Sequence, residues 1–152
     1  MTATLIISPR ADAVPPAHQS GSETGTFLVT DCGDFDLYDD YVLEWNSTLH
    51  FDKLGTPIRV VEHVWGSDTF RNSVTGESVT GTINAGEIVD LANGNVTQNG
   101  NTARITVPGV GVVFFDVGKF IIDIETGDVE FLAGAHHGWF EEDYAALCEV
   151  LG

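Results

Sequence analysis

The residues of this chain best placed to do chemistry are ionisable side chains set inside apolar, strand-like runs. In Ile58-Arg-Val-Val-Glu-His-Val-Trp65, alternate residues point to opposite faces of an extended chain. One face carries Ile58, Val60, Glu62 and Val64, and the other Arg59, Val61, His63 and Trp65. Whichever face turns inward takes an ionisable group with it. Asp116 shares a face with Val112 and Phe114. A carboxylate held among apolar side chains has a raised pKa and can serve as a general acid or base. Glu62 and Asp116 are therefore the candidate general bases, with His136 as proton-transfer partner. Trp45, Trp65, His63 and Phe114 are the candidate walls of a ligand pocket. The plainer alternative is an acid paired at the surface with Arg59 or Arg104, with the aromatic rings simply filling a core.

Metal and nucleophile chemistry have weaker support. Asp31, Asp34, Asp36, Asp39, Asp40 and Glu44 crowd into fourteen residues. Such a segment could offer oxygen ligands to Ca²⁺, but Asp31-Cys-Gly-Asp-Phe-Asp36 lacks the order of an EF-hand, and a solvated acidic loop explains it as well. His136 and His137 are adjacent, so on an extended chain they face apart, and no His-x-His or His-x₃-His spacing accompanies them. No metal and no cofactor are expected. There is no Gly-x-Ser-x-Gly elbow, no P-loop and no dinucleotide fingerprint, which argues against a nucleophilic hydrolase or a nucleotide enzyme.

The elements that must position these groups are strands. Tyr41, Leu43, Trp45, Ser47, Leu49 and Phe51 alternate with Val42, Glu44, Asn46, Thr48 and His50, a period of two that marks a long half-buried strand. Ile58–Trp65 runs back after the Lys53-Leu-Gly-Thr-Pro57 turn. Further strands are predicted at 68–71, 78–83, 87–91, 102–107, 110–117, 119–124 and 129–133. Asn-Gly, Thr-Gly and Pro-Gly pairs between them supply the backbone angles that hairpins need. Only Glu141–Leu151 has a helical pattern, with Tyr144, Leu147, Cys148 and Leu151 on one stripe. The prediction is an all-β domain over residues 25–152, an antiparallel barrel or sandwich of eight to ten short strands with a C-terminal helix. Residues 1–24, rich in Pro, Ser and Gly and without apolar periodicity, read as a flexible leader.

The chain has 152 residues, enough for one domain with a sizeable core. Six Lys+Arg against 23 Asp+Glu give a net charge of −17 and a pI near 4.2. That charge repels phosphate backbones and anionic bilayers, so nucleic acid and membrane insertion are not expected. Cys32 and Cys148 are too far apart in sequence for a local redox or zinc pair. They are either two separate buried thiols or a disulfide between the first strand and the last element, which would imply an oxidising compartment. Ala3-Thr-Leu-Ile-Ile-Ser8 is too short for the apolar core of a signal peptide, so an exported chain would have lost its signal.

Four patches resemble a group of uncharacterised secreted actinobacterial β-proteins. Phe70-Arg-Asn-Ser-Val-Thr-Gly-Glu-Ser-Val-Thr80 is similar to their N-P-x-T-G-K-S-V-T hairpin, with Ser73 where proline is usual. Ile105–Gly118 resembles their next hairpin, and Ala133–His136 with Asp143–Cys148 their closing segment. The resemblance spans about residues 26–152 and implies export and a Cys32–Cys148 bond, but no activity. The function expected from the sequence is an exported, non-catalytic β-domain that binds a small apolar ligand or a surface partner. The alternative is a small cofactor-independent barrel enzyme, a cyclase or isomerase, using a buried carboxylate and a histidine.

Overall fold

The computed structural model describes residues 14–152. Eight antiparallel strands follow in chain order: β1 (Ala17–Asp31), β2 (Asp36–Phe51), β3 (Pro57–Asn72), β4 (Ser78–Thr80), β5 (Ile83–Asp90), β6 (Asn95–Val107), β7 (Gly111–Asp123) and β8 (Val129–His136). A single π-helical turn, His137–Glu141, and helix α1 (Ala145–Leu151) end the chain. The sheet order is β1-β2-β3-β5-β6-β7-β8, with β4 paired to β3. It is a meander in which neighbours in sequence are neighbours in space, and β1 does not pair with β8 among the described residues.

The all-β class with a short C-terminal helix is therefore present, in a strongly curled open sheet. Its curl follows from distances. Flat strands lie about 4.8 Å apart, which would put β7 roughly 14 Å from β3, three places away. Yet the rings of Phe70 on β3 and Phe114 on β7 lie 5.5 Å apart between centroids. A row of register partners shows where the sheet can bend: Gly134, Gly118, Gly100, Ala85, Val64, Trp45 and Gly21 lie side by side across seven strands. Gly100 and Gly134 have φ of 123° and 111°, and a Cβ at either would collide with the backbone of the adjacent strand. Glycine in mid-strand here permits the close approach on which curvature depends.

Three hairpins use one turn. Asn72, Asp90 and Asp123 each accept from the backbone N–H groups two and three residues on, and a glycine at the fifth position (Gly76, Gly94, Gly127) takes positive φ. These are Asx turns closed by the residue that tolerates the left-handed region.

Several boundaries differ from those predicted. The leader assigned to residues 1–24 gives way at Ala17, because residues 17–24 pair with β2 from Leu49 to Val42; residues 1–13 lie outside the described residues. The segments 58–65 and 68–71 are one strand, continuous through Gly66. The acids Glu141, Glu142 and Asp143 precede α1, which begins at Ala145.

The core lies at the end of the sheet plugged by α1. Leu147 and Leu151 are buried against Phe35, Leu37, Phe70, Ile105 and Phe114, and Tyr144 packs beside them. Cys32 and Cys148 are disulfide-bonded with Cα atoms 5.5 Å apart, which fixes the helix to the loop between β1 and β2. Among the described residues no helix is long and apolar enough to cross a membrane.

Candidate functional site

Strand parity decides which side chains enter the concave face. On β3 that face carries Glu62, Val64, Asp68 and Phe70, and its register places Tyr41 opposite Asp68 and Asp39 opposite Phe70 on β2. On β7 it carries Phe114, Asp116 and Phe120, with Ala103 and Ile105 opposite on β6 and His136 opposite on β8. Between these walls is a cavity of about 500 Å³, in the range of small-molecule sites. Phe27, Leu43, Val64, Ile83, Ala85 and Phe114 supply much of its apolar wall. Glu23, Asp39, Asp68 and Asp116 also face it, with Gln98, Tyr41 and Tyr144.

Two acidic arrangements converge there. Asp39 and Asp68, 4% and 8% exposed, sit diagonally across β2 and β3. Their two carboxyls are close enough for each to act on the other's titration. Burial pushes Asp39 up to about 6, and burial together with the Asp39 charge pushes Asp68 up to about 8. Two carboxyls in contact in an apolar space hold a proton between them near neutrality, since both cannot ionise cheaply. Oδ1 of Asp39 is buried with no hydrogen-bond partner in the protein.

The second arrangement joins Asp116 and His136, both nearly inaccessible, with Nδ1 of the imidazole 2.9 Å from Oδ1 of the carboxylate. Nε2 lies 3.2 Å from the Ala133 carbonyl. The other carboxylate oxygen, Oδ2, accepts from the Gly138 N–H at 3.2 Å. The rings of Phe120 and Phe140 meet the imidazole edge-on. Tyr144 stacks on Phe114 at 5.5 Å, and burial raises its phenol pKa. At the cavity's exposed rim the Tyr41 hydroxyl donates to Glu23 at 2.8 Å.

The predicted residues are divided by this geometry. Asp116 and His136 are brought together, although His136 lies behind Asp116 and lines only a minor adjoining void. Phe114 lines the main cavity. Glu62 shares the concave face but lies farther along it, opposite Glu87, and does not line the cavity. Burial and the Glu62 charge raise the pKa of Glu87. Trp45 also faces inward, yet its ring lies over Gly21 rather than against the cavity. His63 and Trp65 are on the opposite, outer face: His63 bonds Asn84 at 2.9 Å and Trp65 donates to Glu44 at 3.0 Å. They cannot be pocket walls, because parity with the inward Phe70 turns odd-numbered β3 residues outward.

Asp39 and Asp68 are site residues that the sequence reading misses. Their signal is parity: Asp39 shares a face with Leu37 and Tyr41, and Asp68 with Phe70. The acidic run 31–44 is not a single loop, since residues 36–44 alternate sides along β2. Among the described residues no three His, Cys, Asp or Glu side chains are grouped so as to hold a metal ion. No protein-family model matches the chain, and neither a curated protein nor a solved structure does so.

Proposed function

We propose that this is an exported β-domain whose concave face binds one small, largely apolar molecule. The observation that carries the reading is the cavity of about 500 Å³, walled by apolar side chains from non-adjacent strands, onto which a set of polar side chains converges. Packed β-domains leave voids no larger than a few waters, so a hollow of this size with convergent polar groups has the form of a binding site. The Cys32–Cys148 bond supports export, because such bonds persist in oxidising compartments. So does the resemblance to secreted β-proteins.

The test is a neutral apolar fluorophore, N-phenyl-1-naphthylamine, titrated against the native chain and against Ala85→Trp, which fills the cavity from its wall. One saturable site that disappears in the variant is the expected result. Binding that is absent, or unchanged by Ala85→Trp, overturns it.

A second reading, a cofactor-independent isomerase or cyclase, is favoured by the two acid pairs at one cavity. Asp39 and Asp68 then replace Glu62 as general base and acid, with Asp116 and His136 beside them. Carboxyls poised near neutrality suit proton transfer to and from a carbon acid. Deuterium incorporation into a bound ligand in heavy water, lost in Asp39→Asn, separates this reading from simple binding. A ligand recovered unlabelled refutes it.

A further inference from the structure

We propose that the molecule taken by this cavity is a primary amine on an apolar body, its ammonium group seated at Asp39 and Asp68. The inference rests on the binding reading above and names the ligand's class. Its first support is charge. Glu23, Asp39, Asp68 and Asp116 line the cavity, while Lys53, Arg59, Arg71, Arg104 and Lys119 lie in a turn or on the outer face. Arg71 is held there by Asp40 at 2.8 Å, and Lys119 lies over the Phe131 ring. Among the described residues, then, no lysine or arginine compensates the acids inside. Asp116 is matched by His136 and the Gly138 N–H, and Glu23 by the Tyr41 hydroxyl. The Asp39–Asp68 pair has no such counterpart.

The second support is independent of charge. Oδ1 of Asp39 belongs to a cavity-lining residue only 4% exposed and receives no hydrogen bond. An unmet buried acceptor costs free energy that a donor restores, and a donor carrying positive charge restores the most. An alcohol would supply the donor without the charge, and a carboxylate would supply neither. Tyr41, Phe70, Phe114 and Tyr144 face the same space, and aromatic faces attract ammonium groups while burying an apolar body.

Acidification should weaken this recognition, because protonating the pair removes its charge while the amine keeps its own. The other titratable groups facing the pair are Glu23 and Tyr41 at the rim, and Asp116, backed by His136, and Tyr144 across the cavity. Asp40 on the outer face is neutralised by Arg71.

Calorimetry on the full chain with 2-phenylethylamine, 2-phenylethanol and phenylacetate tests the proposal. At pH 8 the amine should bind at least about tenfold more tightly than the alcohol, and phenylacetate should not bind. The amine's advantage over the alcohol should fall below about threefold at pH 5 and vanish in Asp39→Asn/Asp68→Asn. An amine no tighter than the alcohol at pH 8, or an advantage that is the same at both pH values, overturns the amine assignment and leaves the binding site standing. If the variant does not fold, the pH comparison on the native chain decides. Failure of the alcohol, the amine and the neutral fluorophore together overturns the binding reading itself.

Discussion

Asn72 donates from Nδ2 to the backbone carbonyl of Leu151 at 2.8 Å, joining the end of β3 to the end of the chain across 79 residues of sequence. Its Oδ1 meanwhile accepts from the N–H groups of Val74 and Thr75, so one buried amide both shapes a hairpin and satisfies an orphan carbonyl of α1. Asn72→Ala leaves that carbonyl unmet and the turn unsupported. Urea denaturation should show a loss of about 2–4 kcal/mol. Stability within about 0.5 kcal/mol of the native chain would show that neither bond matters.

The disulfide acts on the same corner. Joining Cys32 to Cys148 closes a loop of 116 residues, and in the chain-entropy model such a closure is worth about 4–5 kcal/mol. Thiol titration of the denatured, unreduced protein should find no free thiol, and Cys32→Ser/Cys148→Ser should unfold at much lower urea. Two titratable thiols would contradict the pairing.

Asp116 and His136 are buried as a pair, so the cost of breaking them lies in what is left behind. Asp116→Ala strands an imidazole and the Gly138 N–H without their acceptor, and should cost about 3–5 kcal/mol. Asp116→Asn keeps an acceptor and should cost clearly less. The comparison is made by thermal and urea unfolding, and equal losses would mean that the carboxylate acts only by its volume.

Legibility in the sequence follows the range of the interaction that decides each feature. The alternation from Tyr41 to Phe51 is local, and its inward face is the one the structure uses. The alternation that reveals Asp39 begins at Leu37, hidden among acids that read equally well as a solvated loop. Asp68 is obscured by Gly66, a residue that usually ends a strand. Here its missing Cβ lets the Val42 carbonyl approach, and β3 continues. Parity alone does not say whether Glu62 or His63 turns inward. That choice is made farther along β3 by Phe70 and Asn72, through contact with β7 and the end of α1. The glycine row that bends the sheet is scattered from Gly21 to Gly134 and becomes a line only once seven strands are in register.

The Asp39–Asp68 pair predicts an inverted pH dependence over part of the range. Both carboxyls are raised in the folded chain, to about 6 and about 8, from an ordinary value of 3.8. The folded state therefore holds protons that the unfolded state releases, and linkage makes stability fall as pH rises between those values. The contribution is fully present below about pH 4 and is lost progressively through pH 6 and 8. Its sign follows from the direction of the two shifts, since a proton held more tightly on folding stabilises the fold until rising pH releases it. Asp40, Asp52, Asp90 and Asp123 act oppositely. Their carboxylates are held below the ordinary range by Arg71 or by turn N–H groups, so their contribution disappears only in stronger acid. Maximal stability should therefore lie near pH 4, and urea midpoints should decline from pH 5 to pH 8. Asp39→Asn/Asp68→Asn removes both titrating groups, and should be more stable than the native chain at pH 8 with a flatter profile. Overall repulsion among the remaining acids is common to both proteins, so the difference between their curves isolates the pair. Parallel curves from pH 5 to pH 9 would mean that the two carboxyls titrate as ordinary surface acids.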